Sequence, residues 1–401
     1  MSARLLMHVW EFAGAAIALC TSPGSVELLL LTLGGVLPAK KNQARVESDV
    51  TFRVAFVVPA HDEESTIADC VKSLRECDSY SGDAAVYVVA DNCTDQTAGL
   101  AAEAGANVLI RDDSARRGKG YALDFAFRKL LARGFNLFIV VDADSSVTRN
   151  LVRDFVKAFE SGADAVQCRY KVRNSSGSMR TRWMNIALMA FNVLRPRGRE
   201  RFGMSAGILG NGFALSQATL EKVPYDAVSV VEDLEYHLRL VRAGLTVRFV
   251  DTATVYGEMP LSNKGASTQR ARWEGGRFRM IRESAPGLAR EVCRGQFRLL
   301  EPLLELLLLP LGFHVLMLLF ALTTPMAAVR YYVAAALTLV AAHILAAIAI
   351  GGGGWRDVGA LFVAPLYLLW KLRIIPQLIR NSGRSTAWVR TERQTRQGGL
   401  K

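Results

Sequence analysis

Short apolar runs alternate with mixed polar stretches through residues 50–260. Residues 52–59 (Phe-Arg-Val-Ala-Phe-Val-Val-Pro) are rich in β-branched and aromatic side chains and predict a strand. The same pattern predicts strands over 86–90, 107–110 and 137–141. Between them, helix-like stretches cover 65–76, 94–104 and 120–131, with Ser65 as the expected N-cap of the first. One helix between successive strands implies βαβ units and a mainly parallel α/β sheet, Rossmann-like in outline.

Outside that region the pattern changes. Three apolar runs cover about 303–323, 331–350 and 358–376, and another covers 10–38. A span needs about 20 apolar residues, which the first two runs supply. The third contains Pro365, Lys371 and Arg373 and suits a snorkelling or interfacial segment. The N-terminal block is interrupted at Thr21-Ser22-Pro23-Gly24-Ser25, which predicts a kinked span rather than a signal peptide. The expected order is an N-terminal membrane segment (1–40), an α/β domain (50–260), amphipathic interfacial helices (261–300), a C-terminal membrane block (301–378) and a basic tail (379–401). Three full spans after a cytosolic domain would put the basic tail outside, so one run is expected to be re-entrant or interfacial.

The 401 residues carry a net charge of +12, which invites a nucleic-acid reading. The location of the charge removes it. Residues 264–298 net +6 and residues 371–401 net +7, leaving −1 for the rest. Both basic stretches flank the apolar block, as the positive-inside rule describes for a multi-pass membrane protein with a cytosolic domain. No basic face remains on the α/β domain for nucleic acid. The six cysteines form no C-x-x-C pair and suit a reducing compartment.

Ligands on open α/β sheets bind at the carboxyl ends of the strands. There stand Pro59, Ala60 and His61, then Asp91, then Asp142-Ala143-Asp144, with Lys119 ahead of a helix. Neither G-x-G-x-x-G nor a Walker A sequence is present. Hard carboxylate oxygens in D-x-D suit Mg²⁺ or Mn²⁺ completed by substrate phosphates. Taken alone, the same aspartates would serve equally as helix caps, and Lys119 as a solvated loop lysine.

Two further elements follow in order: Val231-Glu232-Asp233, and Gln269-Arg270-Ala271-Arg272-Trp273 with the spacing Q-x-x-R-W. With these, residues 50–285 resemble the family-two glycosyltransferases of GT-A fold. The resemblance is to their membrane-integrated branch of cellulose, chitin, hyaluronan and poly-N-acetylglucosamine synthases. It implies an inverting, metal-dependent sugar transfer from a nucleotide sugar, with UDP the expected carrier, to a glycan or lipid-linked acceptor in envelope polysaccharide assembly. It implies Asp233 as general base beside Glu232. Pro59, Ala60 and Asp91 would line the nucleoside pocket and Lys119 would lie beside the nucleotide. Asp142 and Asp144 would hold the diphosphate, Asp144 through the cation. Gly210, Asn211 and Gly212 would meet the acceptor, while Gln269, Arg272 and Trp273 would close over the site.

The sequence departs from that pattern in two places. The acidic motif is V-E-D rather than T-E-D, and no F-x-V-T-x-K gating segment follows Trp273. Processive synthesis and single transfer to a glycolipid therefore both stay open. A non-enzymatic membrane partner with a degenerate domain is disfavoured, because Asp142, Asp144, Asp233 and Arg272 are all present. Arg195, Arg197, Arg199 and Arg201 predict a solvated loop facing anionic lipid, with a lipid headgroup or lipid-linked diphosphate as the alternative partner. His314 and His343, in membrane runs, are expected to pack or hydrogen-bond between helices, and Cys93 to be structural.

Overall fold

A computed structural model of the chain describes residues 3–38, 51–78, 84–226, 229, 231–260 and 263–363. Within 263–272 it describes only the side chains of Gly265, Gln269 and Arg270. The end of the third apolar run and the basic tail lie outside the described residues.

The chain begins with one helix, α1 (Ala3–Val36). Then follow β1 (Val54–Ala60), α2 (Ile67–Arg75), β2 (Ala84–Asp91), α3 (Thr97–Glu103), β3 (Asn107–Arg111), α4 (Lys119–Leu131) and β4 (Leu137–Val140). Each lies within three residues of the predicted bounds. The cap of α2 differs: Thr66, not Ser65, precedes the helix, and its hydroxyl donates to Glu63 instead of capping. Beyond β4 come β5 (Ser146–Val147), α5 (Leu151–Glu160), β6 (Ala165–Val172) and α6 (Met179–Met189). A π-helical turn (Ala190–Leu194) leads into α7 (Arg195–Phe202). β7 (Phe213–Ser216), α8 (Gln217–Lys222), α9 (Glu232–Arg242) and β8 (Val247–Gly257) complete the α/β unit.

The eight strands form one sheet in the order β3-β2-β1-β4-β7-β6-β8-β5. The first four are parallel, as the βαβ pattern predicts. At β7 the direction reverses, and the sheet becomes mixed. Alternation along the strands separates two cores. Val54, Phe56 and Val58 face α2 and α5, while Ala55 and Val57 face α4 and α9.

After the sheet come α10 (Asn263–Cys293), α11 (Leu300–Leu307), α12 (Leu311–Leu322), α13 (Ala327–Gly351) and α14 (Trp355–Ala360). Among the described residues, two helices are long and apolar enough to cross a membrane, Arg4–Val36 and Ala327–Gly351. The run at 303–323 is not one continuous helix. It divides at Leu308-Leu309-Pro310 into α11 and α12, bent by 74°. Pro310 has no N–H to continue the α11 ladder, and the residue before a proline is biased away from helix. The N-terminal block forms one helix, and α1 continues through the interruption at 21–25 and Pro23. Pro23 cannot donate to the Leu19 carbonyl, but the neighbouring Ser22 hydroxyl does, at 2.9 Å.

The arginines at 195–201 also differ from expectation. They lie on α7, and Arg195 and Arg199 are buried instead of solvated. Helix α7 packs on α1 through glycines: a Cβ on Gly198 would sit 2.4 Å from the Leu31 carbonyl oxygen. The Arg199 guanidinium binds the carboxylates of Glu301 and Glu305 on α11 and lies 3.7 Å from Glu27 on α1. Arg197 donates to the carbonyls of Gly35 and Leu37 and pairs with Asp251. The two membrane-run histidines do bridge helices. His314 Nε2 meets Ser25 Oγ at 3.3 Å, and His343 Nδ1 meets Thr32 Oγ1 at 2.7 Å.

Candidate active site

One cavity of about 1800 Å³ lies against the carboxyl ends of β1, β2 and β4. Pro59 and Ala60 line it from β1, Asp91 from β2, and Asp142 and Asp144 from the turn after β4. Lys119 enters from the first residue of α4, after Gly118 turns the chain at φ 133°. Glu232 and Asp233 enter from the first turn of α9, where the helix dipole favours negative charge. These two acids are thus both helix-terminal and cavity-lining.

The charges converge on Lys119. Its ammonium pairs with Asp142 and donates to the Gly210 carbonyl. Burial alone would lower its pKa, but Asp142, Glu232 and Asp233 hold it above the usual lysine value. Burial raises Glu232, and the neighbouring Asp233 charge raises it further, to about 8. Burial also raises Asp233, against the pull of the Leu234 N–H and Lys119. Three carboxylates around one ammonium leave the site short of positive charge. The two aspartates of D-x-D offer the hard oxygens that a divalent cation takes alongside substrate phosphates. Asp142 pairs with Lys119, and Asp144 lines the same cavity.

Gly210, Asn211 and Gly212 precede β7 but do not share one role. Gly210 (φ 78°) lines the cavity, and a Cβ there would lie 3.0 Å from Asp233 Oδ2. Asn211 is buried, with 1% exposure, and faces inward. Its Oδ1 accepts from the Asp142 N–H at 3.1 Å, and its Nδ2 donates to Ser145 Oγ at 2.9 Å. Gly212 (φ 70°) packs on Cys168 and Val255. Asn211 and Gly212 do not line the cavity where an acceptor contact was expected: Asn211 holds the D-x-D turn from behind, and Gly212 packs against β6 and β8.

Asp91 is buried and paired with Arg111 at 2.6 Å. Burial raises its pKa against the pull of that guanidinium. The sequence reading missed Arg111. The signal was its place opposite Asp91 at the ends of neighbouring strands β2 and β3. His61 Nδ1 meets the Asp91 carbonyl at 2.7 Å, tying the ends of β1 and β2 together. Asp62 and Asn92, which follow those strands, both have left-handed φ values of 54° and 52°. Such backbone is uncommon away from glycine and clusters at binding sites. Cys93 Sγ reaches the Ala60 carbonyl at 3.5 Å, a structural contact.

Gln269 and Trp273, on α10, line the same cavity, and Trp273 packs against Val172, Leu188 and Met259. Arg272 lies on that helix between them, with its side chain outside those described. Arg270, which the sequence reading passed over, is buried and lines the cavity too.

Comparison with known proteins follows the same outline. The family model described as glycosyl transferase family group 2 matches residues 137–350, more than half of the chain. The model for glycosyl transferase family 2 matches residues 55–217. A probable glycosyltransferase of Bacillus subtilis (strain 168), YdaM, is 28% identical over 233 residues, covering 56% of this chain and 55% of that protein. The beta-monoglucosyldiacylglycerol synthase of Nostoc sp. is 28% identical over 254 residues, covering 60% of this chain and 53% of that protein. The chain thus spans about half the length of the curated relatives it matches. Among solved structures, a mannosyltransferase from Pyrobaculum calidifontis, determined with GDP-Man and Mn²⁺, has a TM-score of 0.57. It is 16% identical and covers 93% of this chain and 97% of its own, a likeness of fold.

Proposed function

The chain belongs to glycosyl transferase family group 2, and from that premise we propose that it is a membrane-integrated glycosyltransferase. It transfers a sugar from a nucleotide sugar, UDP-linked, to an acceptor hydroxyl with inversion. The acceptor is a glycan or a lipid-linked molecule of the cell envelope. The observation that carries this reading is the convergence of Lys119, Asp142, Glu232 and Asp233 on one cavity at the strand ends.

In the proposed reaction the acceptor oxygen bonds to the anomeric carbon as the bond from that carbon to the diphosphate breaks. A single displacement inverts the centre. Asp233 takes the acceptor proton, and burial raises its proton affinity above that of an ordinary carboxylate. The buried Asp91–Arg111 pair fixes the floor of the nucleoside end. Lys119 and Arg270 line the cavity in which the diphosphate would lie. Asp144 and Asp142 would hold Mg²⁺ or Mn²⁺, which when bound supplies charge stabilisation for the departing diphosphate. The two span-length helices support an enzyme held in the bilayer with its α/β unit on the cytosolic side. The name of the Nostoc relative supports a lipid-borne acceptor.

A panel of UDP- and GDP-sugars, read by nucleotide release from protein in nanodiscs with and without Mg²⁺ or Mn²⁺, tests the reading. Release that needs the metal and one donor is expected. Asp233→Asn should lower kcat by about 10²–10⁴ while leaving nucleotide binding intact. Full turnover in that variant would refute the base assignment.

A further inference from the structure

The cavity does not stop at the strand ends. Its lining continues to Leu309, Pro310 and Val315 at the break between α11 and α12, and to Val340, Ala341 and Ile344 on α13. The far arm is hydrocarbon in character and framed by helix α13, which is long enough to span a bilayer. Between the two ends the cavity is lined by Arg195, Arg199 and Arg277 with Glu301 and Glu305.

The three arginines are not equivalent. Arg199 is held by two glutamates, and Arg277 donates to the carbonyls of Glu305 and Leu308. Arg195 is different. It is 5% exposed, its Nε (like that of Arg277) has no hydrogen-bond partner among the described residues, and, unlike the other two, its closest carboxylate contact, Glu305 at 3.6 Å, is beyond hydrogen-bond length. Its guanidinium lies over the Phe191 ring, 5.4 Å from the centroid. A buried guanidinium left so poorly bonded is costly unless a ligand completes it. The π-helical turn Ala190–Leu194 directly before it is the kind of helix irregularity that recurs at functional sites.

We propose that Arg195 binds the headgroup oxygens of a lipid acceptor whose hydrocarbon chain occupies the apolar arm between the α11–α12 break and α13. This rests on the glycosyltransferase reading and narrows its acceptor to an amphiphile. The headgroup oxygens could belong to a glycerol ester or to a phosphate, and both offer guanidinium acceptors. Held at Arg195, such a lipid would extend its reacting hydroxyl or phosphate oxygen toward Glu232 and Asp233 in the same cavity.

The test uses the full chain in phosphatidylcholine vesicles with a mixture of UDP-glucose, UDP-galactose, UDP-N-acetylglucosamine and GDP-mannose. One arm contains diacylglycerol, another polyprenyl phosphate, and a third a soluble oligosaccharide. Glycolipid formation in either lipid arm is expected. Arg195→Met should raise the KM for that lipid about tenfold with the donor KM unchanged, and without lowering the thermal midpoint. Ala341→Trp, which crowds the apolar arm, should raise the lipid KM in the same way. An unchanged lipid KM in both variants would overturn the proposal, as would sole use of the soluble acceptor. Absence of nucleotide-sugar binding and of any product would sink the glycosyltransferase reading along with it.

Discussion

Asp233 and Glu232 share one apolar, negatively charged corner, and their proton affinity has a visible consequence. Both carboxyls sit above the usual range: burial raises each, and a neighbouring carboxylate adds to it, Asp233 for Glu232 and Asp142 for Asp233. A base must be ionised to act, so kcat should rise with pH through a range above that of an ordinary aspartate as Asp233 loses its proton. The stability effect runs the other way. A carboxyl whose folded pKa lies above its unfolded value favours folding at low pH, and that benefit is lost as pH rises toward 8. Glu232→Gln should therefore raise the thermal midpoint at pH 8.5 relative to wild type and leave it nearly unchanged at pH 4. A pH-independent difference would contradict the assigned environment.

The residue scale also shows what the sequence made readable. Asp142, Asp144 and Lys119 were legible because their types and their places after strands or before a helix limit what they can do. Asn211 was not. Its spacing near glycines suited an acceptor loop, but only the antiparallel pairing of β7 with β4 turns its amide back onto the Asp142 N–H. Asn211→Ala would leave that buried N–H without its side-chain partner, at a cost of about 1–3 kcal/mol. The expected result is a weaker metal dependence curve, with a higher concentration of Mn²⁺ for half-maximal rate, and an unchanged KM for the acceptor. A change confined to the acceptor KM would restore the original reading.

At the scale of elements, β1 to β4 could be read because each alternates two buried faces between helices. The helices of the apolar block could not, since hydropathy is blind to where one helix stops. Two prolines make the point. Pro23 is absorbed because Ser22 takes the carbonyl it frees, while Pro310 ends a helix and opens a 74° bend. The close approach of α7 to α1 was equally hidden, because a glycine gives no hydropathy signal. Yet Gly198 has no room for a methyl group against Leu31. Gly198→Ala should force the two helices apart and lower the thermal midpoint more than Gly354→Ala, where the added Cβ meets open space. Equal effects would show that the α1–α7 contact is not this close in solution.

At the scale of the molecule, charge joins what the apolar arm would otherwise leave loose. Arg199 links α7 to Glu301 and Glu305 on α11 and approaches Glu27 on α1. A buried ion network adds little net stability when it is complete, because desolvation offsets the Coulomb gain. Broken by removal of one partner, it strands the charges that remain. Arg199→Met would leave the three glutamates to repel one another, with only Arg195 and Arg277 nearby. That variant should lose about 3–5 kcal/mol, seen as a lower midpoint in detergent. Because the network is buried, high salt should not narrow the gap between variant and wild type, whereas it should for an exposed pair such as Arg279–Glu283. Arg199 and Arg195 stand four residues apart on one helix. Only the first is bonded to two carboxylates, so only the first should behave as a structural residue, and its loss should loosen α11 on α7 while Arg197 still ties α1 to β8.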